Sequence, residues 1–196
     1  MVLPMALLLA SPTIAAGSSP SAERLAQLGR DAQVFGSRAA EAVLDDAARY
    51  WFAEDRKHGR PLVGAGPALA AAIRVARAEA LRSGVKPVPR EIKRALRRHY
   101  SAKVLAKARW MVAAPDSGLG RLLARWPVSE GAVTLGEVIV FKSRRASQDR
   151  RLFAHELAHV DQYDSLGIDG FAMRYAADRA QMEEQAHAKA RQAMQG

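Results

Sequence analysis

Two histidines that lie four residues apart, His155 and His159, enclose Glu156 in the sequence HELAH. On a helix, residues four apart lie on the same face, so both imidazoles can bind one metal ion, with Glu156 near its open side. Zinc held by two histidines and one carboxylate keeps a position for water and lowers the pKa of that water. A glutamate at the second position of this motif takes up the proton as the water attacks a carbonyl. The spacing therefore predicts a zinc site for peptide-bond hydrolysis, although two histidines can also fall four apart by chance.

The third zinc ligand has to come from elsewhere in the chain, because two histidines do not complete a zinc site. The chain has no cysteine, so a histidine or a carboxylate must supply it. Gly167 predicts the end of the histidine-bearing helix, since glycine favours the left-handed conformation that closes many helices. Asp169 can then cap a final helix that runs through Glu183. A helical hairpin would lay this final helix beside the first and bring a ligand to the histidines.

The elements before the histidine-bearing helix are predicted from their residue types. Ser147 and Asp149 are both able to cap its N-terminus, and Gln162 lies far enough along the helix to reach the edge of the site. Residues 132–141 have the strongest β pattern of the chain, and residues 110–113 form a shorter candidate strand. An edge strand beside such a site can pair with an extended substrate. The same pattern equally suits an ordinary sheet strand.

The N-terminal residues 1–17 form an apolar run followed by small residues, as in a secretory signal peptide. The run is too short to span a bilayer, and it lacks the basic residues that usually precede such a run. A hydrophobic N-terminal arm is the alternative. The pattern favours a signal peptide over residues 1–16, export to the periplasm or the medium, and no transmembrane span.

A helical region is predicted over residues 17–85. Ser21 can cap a long helix, and the aromatic cluster at residues 50–52 would bury against neighbouring helices. An alanine-rich helix over about residues 68–83 is closed by Gly84. These features indicate packing rather than chemistry.

The chain carries a formal net charge of +10, which attracts acidic partners. A proline-rich stretch at residues 86–89 leads into a predicted helix over residues 90–109, whose apolar stripe indicates ordinary amphipathic packing. The main basic surface of this helix is Arg90, Lys93, Arg94, Arg97, Arg98, Lys103, Lys107 and Arg109. We expect a solvated face that can meet an anionic envelope surface. Nucleic acid is disfavoured because the helix has no interleaved aromatic platform for bases.

Residues 152–163, LFAHELAHVDQY, resemble the helix of a bacterial domain-of-unknown-function family of HExxH metallopeptidases associated with extracellular contractile injection systems. The likeness extends beyond the motif. Residues 134–141, TLGEVIVF, resemble the strand that precedes the family's helix, and residues 166–171, LGIDGF, with Tyr175 resemble its turn and second helix. The resemblance covers roughly the C-terminal half of the chain.

This resemblance implies a gluzincin-like site, in which a glutamate on the second helix is the third ligand. The family's pattern there is aromatic-Glu-x-Glu-Ala, and the chain reads Met-Glu-Glu-Gln-Ala at residues 182–186, which places the ligand at Glu183. The second glutamate of the pattern is replaced by Gln185. Residues 180–181 are Ala-Gln where the family commonly has Asn-Pro, so Glu184 stays open as the alternative.

These observations predict an α+β protein that is mostly α, with a zincin-like metallopeptidase domain over residues 86–196. A helical bundle and a short β-sheet would precede the HExxH helix, and the C-terminal helix would carry the third ligand. The site would hold one zinc ion through His155, His159 and Glu183. Glu156 would be the general base in an attack on a peptide or protein substrate.

Two interpretations from other functional classes stay open. One is a catalytically silent, zinc-stabilised binding module at the cell envelope. The other is a nucleic-acid-binding helical protein in which the motif is fortuitous. If turnover occurs, the site also needs a donor for the oxyanion, for which Tyr163, Tyr175 and His187 are the candidates.

Overall fold

The computed structural model of the protein describes residues 65–125 and 131–195. Its elements in chain order are helix α1 (Ala65–Arg82), strand β1 (Lys86–Pro87), helices α2 (Arg90–Leu96) and α3 (Ala102–Lys107), strand β2 (Arg109–Val112), helix α4 (Gly118–Arg125), strands β3 (Ala132–Leu135) and β4 (Val138–Phe141), a 3₁₀ turn (Ala146–Gln148), and helices α5 (Arg150–Ala177) and α6 (Arg179–Gln195). This architecture confirms the predicted α+β class that is mostly α. The signal peptide predicted over residues 1–16, the helix from Ser21 and the aromatic cluster lie outside the described residues. Within the described ranges, no helix is long and apolar enough to cross a membrane.

The four-stranded sheet has the order β1-β2-β4-β3, so β4 is central and β3 forms an edge. Strand β4 pairs in parallel with β2 and antiparallel with β3. The single strand predicted over residues 132–141 is therefore wrong, because the chain turns back at Gly136, whose φ of 68° lies in the left-handed region that glycine adopts without strain. The other predicted strand lies one residue earlier than expected, at Arg109–Val112.

Strand β4 is buried on both faces, and its alternate side chains separate two parts of the core. Ile139 and Phe141 pack with Phe153 and Leu157 of α5. Val138 and Val140 point to the opposite face, where α1 and α4 cover the sheet through Val75, Ala76, Leu119 and Leu123. Helix α5 thus lies directly on the sheet, which fixes the position of the histidines that it carries.

Helix α5 begins and bends where polar and glycine residues predict. The Asp149 carboxylate accepts hydrogen bonds from the backbone N–H groups of Arg151 and Leu152 at 2.8 and 3.1 Å, so Asp149 and not Ser147 is the N-cap. At Gly167, where the sequence predicts the end of the helix, the backbone leaves the helical conformation (φ 68°, ψ 177°) and the helix bends. The chain then continues as helix to Ala177.

The final helix does not begin at Asp169, which was the predicted cap. Asp169 instead accepts a hydrogen bond from Arg74 at 2.5 Å. The helical path breaks at Asp178, where φ is −151°, and the Asp178 carboxylate accepts a hydrogen bond from the Gln181 N–H at 3.0 Å. This break starts α6 and lets it turn back along α5.

The single helix predicted over residues 90–109 is two short helices, α2 and α3. Tyr100 is buried between them, and its hydroxyl donates a hydrogen bond to the backbone oxygen of Ala154 at 2.6 Å. Ser101 then caps α3 by accepting a hydrogen bond from the Val104 N–H at 3.2 Å. The anchoring of Tyr100 to α5 and the new cap explain why the helix is interrupted.

Candidate metal centre

His155 and His159 meet on the buried side of α5. Their ring centroids are 4.7 Å apart, and their Nε2 atoms are 3.1 Å apart. Only 4% of His155 and 6% of His159 is exposed to solvent. The helical spacing of four residues therefore produces the close pair of imidazoles that the sequence predicts.

Helix α6 brings one carboxylate to these two rings. The Oε2 atom of Glu183 lies 3.3 Å from Nε2 of His155 and 3.6 Å from Nε2 of His159. Glu184 points to solvent and pairs with Arg191 at 2.7 Å. The structure thus brings together His155, His159 and Glu183, while Glu184 lies apart from them.

The spacing of the three ligand atoms fits a metal ion. Four ligands that surround zinc tetrahedrally at about 2.0 to 2.1 Å lie about 3.3 Å from one another. The observed separations are 3.1, 3.3 and 3.6 Å. The three atoms therefore lie close enough to one another to hold one metal ion together. The donor set of two imidazoles and one carboxylate is one that zinc takes.

Gln162 connects one histidine to the helix that carries Glu183. Its side-chain nitrogen donates to the backbone oxygen of Met182 at 3.1 Å, and its Oε1 lies 2.9 Å from Nδ1 of His159. Because a backbone oxygen can only accept, the amide orientation is fixed, and Nδ1 of His159 must be the donor. In the neutral ring, Nε2 then has a free lone pair that can bind a metal. Gln162 therefore orients His159 and ties it to the residue next to Glu183.

The Gln162→Met variant is expected to lower zinc affinity by roughly ten- to a hundredfold, the usual effect of removing a hydrogen-bond partner of a metal ligand. Methionine keeps the length of the side chain but makes neither hydrogen bond. Titration of the zinc-free protein against a competing chelator measures the affinity. Gln185→Met is the control, because the exposed Gln185 lies 3.5 Å from Gln162 but has no bond to a histidine. Equal affinities in the two variants would contradict the role of Gln162.

Glu156 is almost completely buried, with 3% of its surface exposed. Thr134 of the edge strand β3 donates from its hydroxyl to Glu156 Oε2 at 2.6 Å. Burial raises the pKa of Glu156, and the neighbouring His159 and His155 and the hydrogen bond from Thr134 oppose this rise. A raised pKa makes the Glu156 carboxylate a stronger base.

The pKa of Glu183 is shifted in the opposite direction from that of Glu156. Burial alone would raise its pKa, but hydrogen bonds with His155 and His159 outweigh burial and hold the pKa of Glu183 well below its usual range. Tyr175 donates its hydroxyl to Glu183 Oε1 at 2.5 Å. Glu183 is therefore an ionised carboxylate with one oxygen held by Tyr175 and the other turned to the histidines.

The three predicted oxyanion donors occupy different positions. Tyr163 donates to the backbone oxygen of Thr134 at 3.3 Å, and Tyr175 donates to Glu183. His187 lies against His155, with ring centroids 4.4 Å apart and an angle of 39° between the rings. Of the three, His187 has the side chain whose ring packs against His155 in a tilted arrangement, while both tyrosine hydroxyls bond to other groups of the site.

Thr134 is the site residue that sequence reasoning missed. It lies in β3 with its side chain buried, on the same face as Ala132. A hydroxyl on the buried face of an otherwise apolar strand needs a partner. From the sequence one could therefore expect the Thr134 hydroxyl to have a hydrogen-bond partner, but not that this partner is Glu156.

Comparison with known families gives one finding. The family model described as the eCIS core domain matches residues 87–167. This match links the chain to extracellular contractile injection systems, as the sequence resemblance predicted. It includes strands β2 to β4 and α5 as far as the bend at Gly167, and it ends before Glu183. No curated protein and no solved structure gives a significant match to the chain.

Proposed function

We propose that the protein is a zinc-dependent metallopeptidase that binds one zinc ion through His155, His159 and Glu183. The observation that carries this proposal is the convergence of two imidazole nitrogens and one carboxylate oxygen within 3.6 Å of one another. Glu156 follows the first histidine in sequence and is held against the same site by Thr134. This combination of ligands and a nearby buried carboxylate is what hydrolysis of an amide requires.

Zinc, when bound, would act as a Lewis acid that polarises the carbonyl of the substrate. It would also lower the pKa of a water molecule, so that this water loses a proton more easily and can attack the carbonyl carbon. Glu156 is the general base. Its Oε2 accepts the hydrogen bond from Thr134, so Oε1 is the atom left to take the proton from water. The protonated Glu156 then donates to the leaving amine nitrogen as the C–N bond breaks.

Strand β3 supports a peptide as the substrate class. It is one of the two edge strands of the sheet in the described residues, and it contacts Glu156 through Thr134. An extended peptide can add to an edge strand through backbone hydrogen bonds, which bind it without regard to most side chains. A peptide placed there would run beside the general base.

A second function is favoured by the burial of the site. Glu156, His155 and His159 are all less than 7% exposed, which leaves little of their surface for contact with a substrate. A catalytically silent, zinc-stabilised binding module at the cell envelope needs no such contact. Both functions require the zinc site, but only the peptidase hydrolyses a substrate.

The deciding experiment measures zinc content and proteolysis on the same preparation. We expect about one zinc per chain by elemental analysis, and hydrolysis of an unfolded protein substrate that stops on chelation and returns when zinc is added back. Zinc without hydrolysis would favour the silent module. Absence of zinc from protein refolded with zinc would overturn both functions.

A further inference from the structure

We propose that α2 and the turn after it form a docking surface for anionic phospholipid headgroups. This surface, called here the α2 basic face, shares no residue with the metal site and does not depend on the proposed peptidase activity. It consists of Arg90, Lys93, Arg94, Arg97 and Arg98. The first four are spaced i, i+3, i+4 and i+7, which places them on one side of a helix.

The eight basic residues of positions 90–109 separate into two groups. Lys103 and Lys107 both pair with Asp164, at 2.8 and 3.0 Å. Arg109 donates to the backbone oxygens of Ala106, Lys107 and Ala108 at the end of α3. Each of these three side chains therefore has a partner within the fold.

The side chains of the α2 basic face form no ion pairs in the part of the chain that the structure describes. None of its five side chains pairs there with a carboxylate, and the one acidic residue of α2 is Glu91. Four of the five side chains are exposed, and Lys93 is half-buried. The charge is therefore directed to solvent and is open to a partner.

The arrangement also works against the local stability of α2. Arg90 lies at the N-terminus of the helix, where the helix dipole favours a negative charge. Arg90 and Arg94 are like charges four residues apart, a pair that destabilises a helix. Neither ion pairs among the described residues nor helix formation accounts for these charges, and they suit the binding of an anionic partner.

The segment is held in place by its other side. Leu96 and Tyr100 are buried, and Tyr100 is bonded to Ala154 of α5. The basic side chains thus project from a segment that is held in place by its buried side. A helix of seven residues is about 10 Å long, and no aromatic side chain on the α2 basic face can stack on bases. A short row of exposed cations without such a stacking platform suits charged headgroups better than nucleic acid.

The test compares the full-length, zinc-loaded protein with a double variant, Arg94→Gln and Arg98→Gln, in co-sedimentation with vesicles. One set of vesicles contains phosphatidylcholine and 30% phosphatidylglycerol, about a third anionic, a composition chosen to expose charge-dependent binding. The other contains phosphatidylcholine alone. The matched control, Lys142→Gln with Arg144→Gln, removes the same two charges from exposed residues of the loop after β4.

We expect the wild-type protein to bind only the anionic vesicles, with an affinity that falls as salt is added. Each cation near such a surface strengthens binding about fivefold, so the Arg94 and Arg98 substitutions should weaken it roughly 25-fold. The control should lose clearly less than this. Circular dichroism and zinc content should be unchanged in both variants, because exposed charges away from packed features have little effect on stability.

Three results would overturn the proposal. The first is no binding of the wild-type protein to anionic vesicles at low salt. The second is an equal loss in the two double variants, which would mean that net charge and not the α2 basic face attracts the lipid. The third is tighter binding to duplex or single-stranded nucleic acid than to vesicles, lost in the Arg94 and Arg98 variant, which would identify the face as a nucleic-acid surface.

Discussion

Replacing Glu156 by glutamine is expected to leave about one zinc ion per chain while hydrolysis of a protein substrate falls by roughly a hundredfold or more. Glutamine keeps the shape of the side chain, and its oxygen can still accept the hydrogen bond from Thr134. It has no atom that takes up a proton from water. Both histidines and Glu183 are untouched, so zinc content by elemental analysis and the rate of proteolysis should separate in this variant.

The control for this prediction is Glu91→Gln, the same chemical change on the exposed surface of α2. It should preserve both zinc and hydrolysis. If Glu156→Gln loses zinc, Glu156 holds the metal and is not only a base. If it keeps full activity, another group takes the proton and the proposed mechanism is wrong. If neither the wild-type protein nor the variant hydrolyses any substrate, the silent binding module is the better description.

The histidine pair could be predicted from the sequence because its geometry is local. Residues four apart on a helix are neighbours whatever the rest of the fold does, and the helix itself is bounded by Asp149 and Gly167, both of which the sequence indicates. The helix cap at Asp149 and the bend at Gly167 also depend mainly on single residues and their immediate neighbours. The relative position of His155 and His159 therefore follows from the sequence once the helix is recognised.

The choice between Glu183 and Glu184 depends on tertiary contacts and not on local helix geometry. Adjacent residues on a helix point about 100° apart, so the ligand depends on how α6 is rotated against α5. That rotation is set by the break at Asp178 and by contacts such as the bond between Gln162 and the backbone of Met182. These are tertiary contacts, and only the family resemblance indicated Glu183 before the structure did.

The errors in the fold have similar causes. The hairpin turn at Gly136 was overlooked because only Gly136 and Glu137 separate two runs of strand-favouring residues, 132–135 and 138–141. The helix over residues 90–109 was predicted as one piece because its apolar stripe is continuous in sequence. Its interruption depends on Tyr100 reaching Ala154, which is 54 residues away along the chain. Periodicity carries no information on such long-range bonds.

Three side chains of the proposed site, Glu156, His159 and Glu183, are each held in place by a hydrogen bond with a neighbouring residue. Thr134 holds the general base Glu156, Gln162 holds the ligand His159, and Tyr175 holds the ligand Glu183. None of the three partners is itself a predicted metal ligand. They come from β3 and from both arms of the bent helix α5, so the site is defined by the packed fold rather than by the HExxH motif alone.

Replacing Glu183 by glutamine is expected to weaken zinc binding by at least about a hundredfold, because it removes a charged ligand and not just the partner of one. Glutamine can still bond to Tyr175, so the packing of α6 on α5 should survive. Bound zinc stabilises the folded state by mass action, and a hundredfold loss of affinity corresponds to about 2.7 kcal/mol less stabilisation at a fixed zinc concentration. Chelator competition measures the affinity, and thermal unfolding with and without chelator measures the stabilisation.

Glu184→Gln is the matched control for that prediction, since it makes the same change at the next residue. Glu184 is exposed and bonded to Arg191, and surface ion pairs of this kind contribute little to stability. The control should keep wild-type zinc affinity and the wild-type response of the melting temperature to chelator. Glu156→Gln should also keep both, so the three glutamates give three distinct outcomes. If Glu184 rather than Glu183 controls zinc retention, α6 is rotated by one residue from the orientation described here. If none of the three changes zinc content or activity, His155 and His159 do not form a zinc peptidase site.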